Sequence, residues 1–182
     1  MRSLAGRARR LQGLHTQRRD LLDEIGRHLS AVRYRSRPDS WLFPDLEQTR
    51  DARLAALGAR LRPGVAMDAA FHDGALTFHV DGAPAIERIH VNDAEGRFIL
   101  AQWKLLAATF PVTDRTDGRK LANALRRIGE TTDSGLIDRI VGLQQRLAAI
   151  EADIDREEAA VDRQSYRLYG LTEPEIRLVE AG

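Results

Sequence analysis

The sequence predicts an α+β protein that is predominantly helical. Two long helices form an antiparallel coiled coil, with a small antiparallel β-meander and short helices between them. Three observations predict it. Near both ends of the chain, apolar residues recur every three and four positions. In the middle, two Asp-Gly pairs separate short β-rich runs. The ends also carry opposite charge: residues 1–37 hold ten arginines against three acids, and residues 133–182 hold six arginines against eleven. The expected division is a long N-terminal helix over 1–37, a small α+β body over 38–132, and a third part over 133–182. That third part holds a long helix, a glycine turn and a short terminal helix.

Residues 3–34 contain no proline, and Leu11, Leu14, Arg18, Leu21, Ile25, His28 and Val32 step along one face. This is a heptad seam with two polar interruptions. The helix is expected to end in the "RSRPDS" segment, because the residue before a proline avoids helical backbone. "SWLFP" supplies an aromatic anchor, Trp41 and Phe43, and a helix follows from about Pro44 to Leu61, stopped by Pro63-Gly64. Three strands are predicted between Val65 and Val91, joined by "HDG" and "DG" and followed by a "NDAEG" turn. "RFILAQWKLLAAT" reads as an apolar helix, "TDRTDG" as a loop and "RKLANALRRIG" as a short helix. Asp133 or Ser134 then caps the last long helix. Its seam runs Leu136, Ile140, Leu143, Leu147, Ile150, Ile154, Glu157, Val161, Gln164, Leu168. Each long helix is expected to span roughly 45–50 Å at about 1.5 Å per residue. The seams leave open whether they pair within the chain, between two copies or with a partner.

The chain has 182 residues, 43% hydrophobic, 30% charged and only 5% aromatic, so its core must be mainly aliphatic. It has no cysteine, which excludes disulfides, thiol catalysis and cysteine-held zinc, and which suits a reducing cytoplasm. No run approaches the roughly 18 apolar residues of a membrane span. The arginines near the N-terminus precede no apolar signal core, so a cytoplasmic location without membrane attachment is expected.

No constellation for catalysis emerges, and no cofactor is expected. His15 and His28 make no metal pair. His72, His79 and His90, with Asp73 and Asp81, could build a metal site, but no pair has the tight spacing of a metal motif, and surface histidines at strand ends are the ordinary reading. The serines lack a Gly-x-Ser-x-Gly elbow, and neither a Walker loop nor a Gly-x-Gly-x-x-Gly turn occurs. Arg115, Arg119, Lys120, Arg126 and Arg127 gather around one loop and one short helix, where they could contact phosphates. "RARR", residues 7–10, is a second basic cluster. Without a partner, a basic cluster of this kind is more often solvated surface, and the oppositely charged ends can equally pair with each other.

The stretch "YRLYGLTEPEIRLVE", residues 166–180, looks like a motif for chemistry, yet every position has a local structural account. With Tyr169 as the C-cap, Gly170 sits where positive φ is needed, and Leu171 can fold back on Tyr166. Thr172 starts a new helix as N-cap, with Glu175 three positions on and Ile176 placed to meet Leu171 as a hydrophobic staple. Pro174 falls in the first turn, where a missing N–H does least harm.

The run from Ile137 to Glu180 resembles the C-terminal end of type IIG restriction–modification enzymes and related adenine-specific DNA methyltransferases. Tyr166, Leu168, Tyr169, Gly170, Leu171, Thr172, Glu175 and Ile176 carry the resemblance. Ser165 departs from the apolar residue usual there, and Pro174 is also uncommon. The resemblance implies a target-recognition or helical spacer region, because the Asn-Pro-Pro-Tyr type of catalytic motif and a glycine-rich cofactor loop do not occur here. It implies a non-catalytic, DNA-binding specificity or accessory subunit in phage defence. Its methyltransferase-associated activity would come from a catalytic partner on another chain. In that setting Leu147, Ile150 and Ile154 of the seam, with the tail motif, would serve protein interaction, and a homodimer through the coiled coil is a further possibility. The alternative function is a coiled-coil adaptor that binds protein and makes no DNA contact.

Overall fold

The computed structural model describes residues 3–43 and 50–181. Helix α1 runs Leu4–Leu29 and helix α6 runs Ser134–Tyr169. They have 26 and 36 residues, or about 39 and 54 Å at 1.5 Å per residue. Between them lie β1 (Arg33–Ser36), α2 (Asp39–Leu42), α3 (Arg50–Arg60), β2 (Met67–His72), β3 (Ala75–Val80) and β4 (Ala83–His90). α4 (Asp93–Thr109), α5 (Gly118–Leu125) and β5 (Arg127–Glu130) follow, and α7 (Glu173–Ala181) comes after α6. The expected class, helical with a small antiparallel sheet, holds. The expected helix start at Pro44 lies outside the described residues.

The chain divides into two compact units. One comprises residues 1–23 and 145–182, the other residues 24–144.

In the first unit α1 and α6 pair antiparallel. Arg7 meets Glu157 while Arg18, further along α1, meets Glu151, earlier in α6. The predicted seams are buried at Leu14, Leu21, Leu147 and Ile154. Ile150, Val161 and Gln164 are half-buried. Leu168 departs from the expected seam and is 66% exposed.

The second unit corrects three expectations. α1 stops at Leu29, and residues 33–36 form a strand rather than the end of a helix. The "RKLANALRRIG" segment is likewise split: α5 ends at Leu125, and Arg127–Glu130 is a strand. β1 and β5 pair antiparallel, Arg33 opposite Glu130 and Ser36 opposite Arg127. A sequence of four residues has too short a period to distinguish strand from helix end, and the pairing is decided by a partner nearly a hundred positions away. Third, "NDAEG" is not a turn after the sheet but the start of α4. Asn92 Oδ1 accepts from the Glu95 N–H at 2.9 Å as the N-cap.

The meander is as expected, in the order β2-β3-β4. Both hairpins close with two residues, Asp73-Gly74 (φ 50° and 74°) and Asp81-Gly82 (φ 54° and 72°). Two consecutive positive φ values match the twist of the flanking strands, which is why Asp-Gly is favoured there. The register of β3 and β4 slips between Leu76 and Phe78, and Arg88 takes φ 55° on the bulged side.

Leu76, Phe78 and Val80 of β3 and Ile86 and Ile89 of β4 point inward, alternating with exposed or half-buried neighbours. α4 covers them with Ile99, Leu100 and Trp103, and α3 and α5 add Leu57, Leu121 and Leu125. Trp103 centres this core. Its indole N–H donates to the Leu125 carbonyl at 3.0 Å, and its ring stands edge-on to Phe78 and Trp41, centroids 5.8 and 6.0 Å away. The expected aromatic anchor therefore holds: Phe43 is buried and Trp41 packs on Trp103. Among the described residues no helix is long and apolar enough to cross a membrane.

Candidate functional site

α5 begins where Asp117 Oδ1 accepts from the Lys120 N–H at 2.8 Å, and this cap fixes the direction of the helix. Arg119, Asn123 and Arg126 then recur at three- and four-residue spacing on one face. α3 crosses α5 closely because glycines meet there. A Cβ on Gly118 would fall on the carbonyl oxygen of Leu54, and one on Gly58 would sit 3.0 Å from the Gly118 nitrogen. The close crossing brings Arg50, at the start of α3, beside Arg119 and Arg126.

The result is a pocket of about 180 Å³ lined by Asp39, Arg50, Arg119, Asn123 and Arg126 over an apolar floor that includes Leu42 and Phe43. Asp39 takes Arg50 Nη1 at 3.2 Å and Arg126 Nη1 at 3.3 Å. Asp51 lies 3.6 Å from both Arg50 Nε and Arg119 Nη2, outside hydrogen-bond range. Three guanidinium groups against two carboxylates leave the rim with an excess of one positive charge. Arg50 Nε is shielded from water and has no hydrogen-bond partner. Such a group is an unsatisfied donor that an anion's oxygen could fill.

Of the basic residues expected from sequence, Arg119 and Arg126 meet in this pocket, but they differ. The Arg119 side chain is 65% exposed. Arg126 is a structural tie, donating to Asn123 Oδ1 at 3.0 Å and to the Arg37 carbonyl at 2.9 Å, which fastens β1 to α5. Lys120 donates to the Arg115 carbonyl at 2.7 Å and so shapes the preceding loop, while the Arg115 side chain is exposed. Arg127 is elsewhere. It lies over the Tyr34 ring, 5.5 Å from the centroid, on the β1–β5 ribbon. Burial pushes the Tyr34 hydroxyl above its ordinary pKa, and the nearby Arg127 charge partly opposes this. Arg33 and Arg35 are exposed on the same ribbon. Sequence reading missed Asp39, Arg50 and Tyr34, which are far from the basic cluster in the chain and reach it only through the fold.

The "RARR" cluster has a different use. Arg7 and Arg10 both reach Glu157, at 3.0 and 3.3 Å, and Arg18 reaches Glu151 at 3.1 Å. The opposite charges of the two ends thus pair with each other within the first unit. His72 and Asp73 are both 90% exposed on a hairpin, and no group of three metal-capable side chains occurs among the described residues.

The tail motif folds as a helix stop and restart. Gly170 has φ 65°. Its N–H donates to the Arg167 carbonyl at 3.3 Å and the Leu171 N–H to the Tyr166 carbonyl at 3.0 Å, the paired bonds of a Schellman ending. Glu175 Oε2 accepts from both the N–H and the hydroxyl of Thr172, each at 2.7 Å. The capping box is therefore one-sided, since the Thr172 hydroxyl donates to Glu175 instead of accepting from its amide. Leu171 and Ile176 are half-buried, whereas Tyr169, Leu178 and Val179 are 82%, 75% and 58% exposed. No family model, curated protein or solved structure matches the chain.

Proposed function

We propose that this chain is a non-catalytic target-recognition or accessory subunit of a restriction–modification or related phage-defence system. It works beside an adenine-specific methyltransferase or endonuclease carried by another chain. The observation that carries the reading is the tail. The segment that resembles those enzymes is a well-formed helix stop and restart, yet it leaves Leu168, Tyr169, Leu178 and Val179 uncovered. Large apolar side chains gathered in one short segment fit a protein-docking surface. The pocket of Arg50 and Arg119, with Arg115 on the adjoining loop, supports contact with the DNA backbone. Such contacts position a protein without reading sequence.

The test is a gel shift on duplex DNA at low and moderate salt, with and without a methyltransferase encoded beside this chain. Weak, salt-sensitive binding by the chain alone and tighter binding with the partner are expected. No DNA affinity in either case at low salt removes the DNA-binding part of the reading. The second reading, an adaptor that binds protein alone, is favoured by one observation. Arg7, Arg10, Arg18 and Arg126 are all engaged with this chain's own acids.

A further inference from the structure

Within residues 24–144 lies a second cavity, of about 380 Å³, that the reading above does not use. Its walls are Leu29, Trp103, Leu105 and Leu106, with Tyr34 and Arg127 among the lining residues. The volume is at the lower end of the roughly 300–1,000 Å³ of small-molecule sites.

The polar groups along this cavity are not equivalent. Gln102 Oε1 accepts from the Gly129 N–H at 2.7 Å, and its amide faces the carbonyls of Phe98 and Gly129 at 3.4 Å. Thr109 donates to the Leu105 carbonyl at 2.8 Å, and the Trp103 N–H is held by Leu125. These groups are committed to the fold. Tyr34 and Arg127 are different. They contact each other through the ring face, and no acid pairs with Arg127 among the described residues. The cavity is therefore apolar along most of its wall and cationic where Arg127 stands. A complementary ligand is apolar along its body and anionic at one end.

We propose that this cavity binds a small amphipathic monocarboxylate, its head on Arg127 and its apolar body against Trp103, Leu105 and Leu106. Arg127 would present two N–H groups to the carboxylate in the planar geometry that lysine lacks. Tyr34 holds the guanidinium from one side, so little side-chain freedom is lost on binding.

Isothermal titration of the full chain tests this with three probes of one chain length: octanoate, 1-octanol and octylammonium. Octanoate should bind saturably at one site, at least about tenfold more tightly than 1-octanol, a difference of about 1.4 kcal/mol. Octylammonium should bind more weakly than either. Arg127→Gln should abolish the preference for octanoate and leave 1-octanol unchanged. Ala124→Phe, which narrows the cavity from α5, should weaken both by at least about tenfold. Equal affinity of the native chain for octanoate and 1-octanol overturns the proposal, and so does a preference that survives in Arg127→Gln. Absence of saturable octanoate binding also overturns it. The native-chain comparison of the three probes decides the matter even if a variant proves unstable.

Discussion

Arg7 donates from Nη1 to Glu157 Oε1 at 3.0 Å, at a seam position where the heptad pattern calls for an apolar side chain. Its Nε also donates to Gln164 Oε1 at 3.1 Å, so one arginine serves two successive polar positions of the seam. Glu157 is only 8% exposed, and Arg10 adds a second contact at 3.3 Å. A single polar group at such a position sets register and orientation at some cost in stability. Arg7→Met should destabilise the helical pair by about 1–3 kcal/mol, because it leaves a nearly buried carboxylate with one exposed partner. The double variant Arg7→Met/Glu157→Leu should recover most of that loss. Urea unfolding of the four-member cycle measures the coupling. A value of a few tenths of a kcal/mol would mark the pair as a screened surface contact.

Leu147 and Ile150 belong to the same predicted seam but are unequal in the structure. Leu147 is fully buried, whereas Ile150 is half-buried. Leu147→Ala should cost about 2–5 kcal/mol, and Ile150→Ala clearly less. Replacing Leu147 with aspartate should unfold the pair. Far-ultraviolet circular dichroism and melting curves report both, and unaltered melting of the Leu147→Asp chain is incompatible with this packing.

Gly118 and Gly58 set the approach of α3 to α5. The Gly118→Ala methyl would overlap the Leu54 carbonyl oxygen, whereas the Gly58→Ala methyl would sit 3.0 Å from the Gly118 nitrogen, a tight contact with backbone but not an overlap. The first should cost about 1–3 kcal/mol and the second less. Since the same crossing places Arg50 beside Arg119, Gly118→Ala should also weaken the proposed contact with DNA. The order of the two melting temperatures is the readout, and a reversed order contradicts the crossing described.

Hydrogen bonds from the Thr172 hydroxyl and N–H hold the Glu175 carboxyl below its ordinary pKa, with only slight opposition from burial. A carboxyl depressed in the folded chain stabilises it above the unfolded value, about 4.3. That contribution disappears as pH falls through the lower folded value. The Thr172 amide resonance should therefore move with a midpoint below about 4.3, and α7 should fray in acid. Glu175→Gln should remove the titration of that resonance. A midpoint at or above the ordinary glutamate value contradicts the cap.

Much of this architecture is local in origin and so legible in the chain. The seams at Leu14, Leu21, Leu147 and Ile154, the Asp-Gly hairpins and the Gly170 stop each follow from periodicity or from backbone freedom within a few residues. In the tail, positive φ at Gly170 and hydrogen bonds within the segment account for its glycine, threonine and glutamate. The candidate site was half legible: Arg115, Arg119 and Lys120 stand together in sequence, while Arg50 and Asp39 join them only across the α3–α5 crossing.

The sequence by itself determined the helical seams, the meander and the opposite charge of the two ends, because each depends on neighbours in the chain. Only the tertiary structure decided what those charges do. It set Arg7, Arg10 and Arg18 against Glu157 and Glu151, tied Arg126 into the body, and turned residues 33–36 and 127–130 from helix ends into a paired ribbon. An arginine's charge is written in the sequence, but its partner is whichever acid the fold brings within about 4 Å.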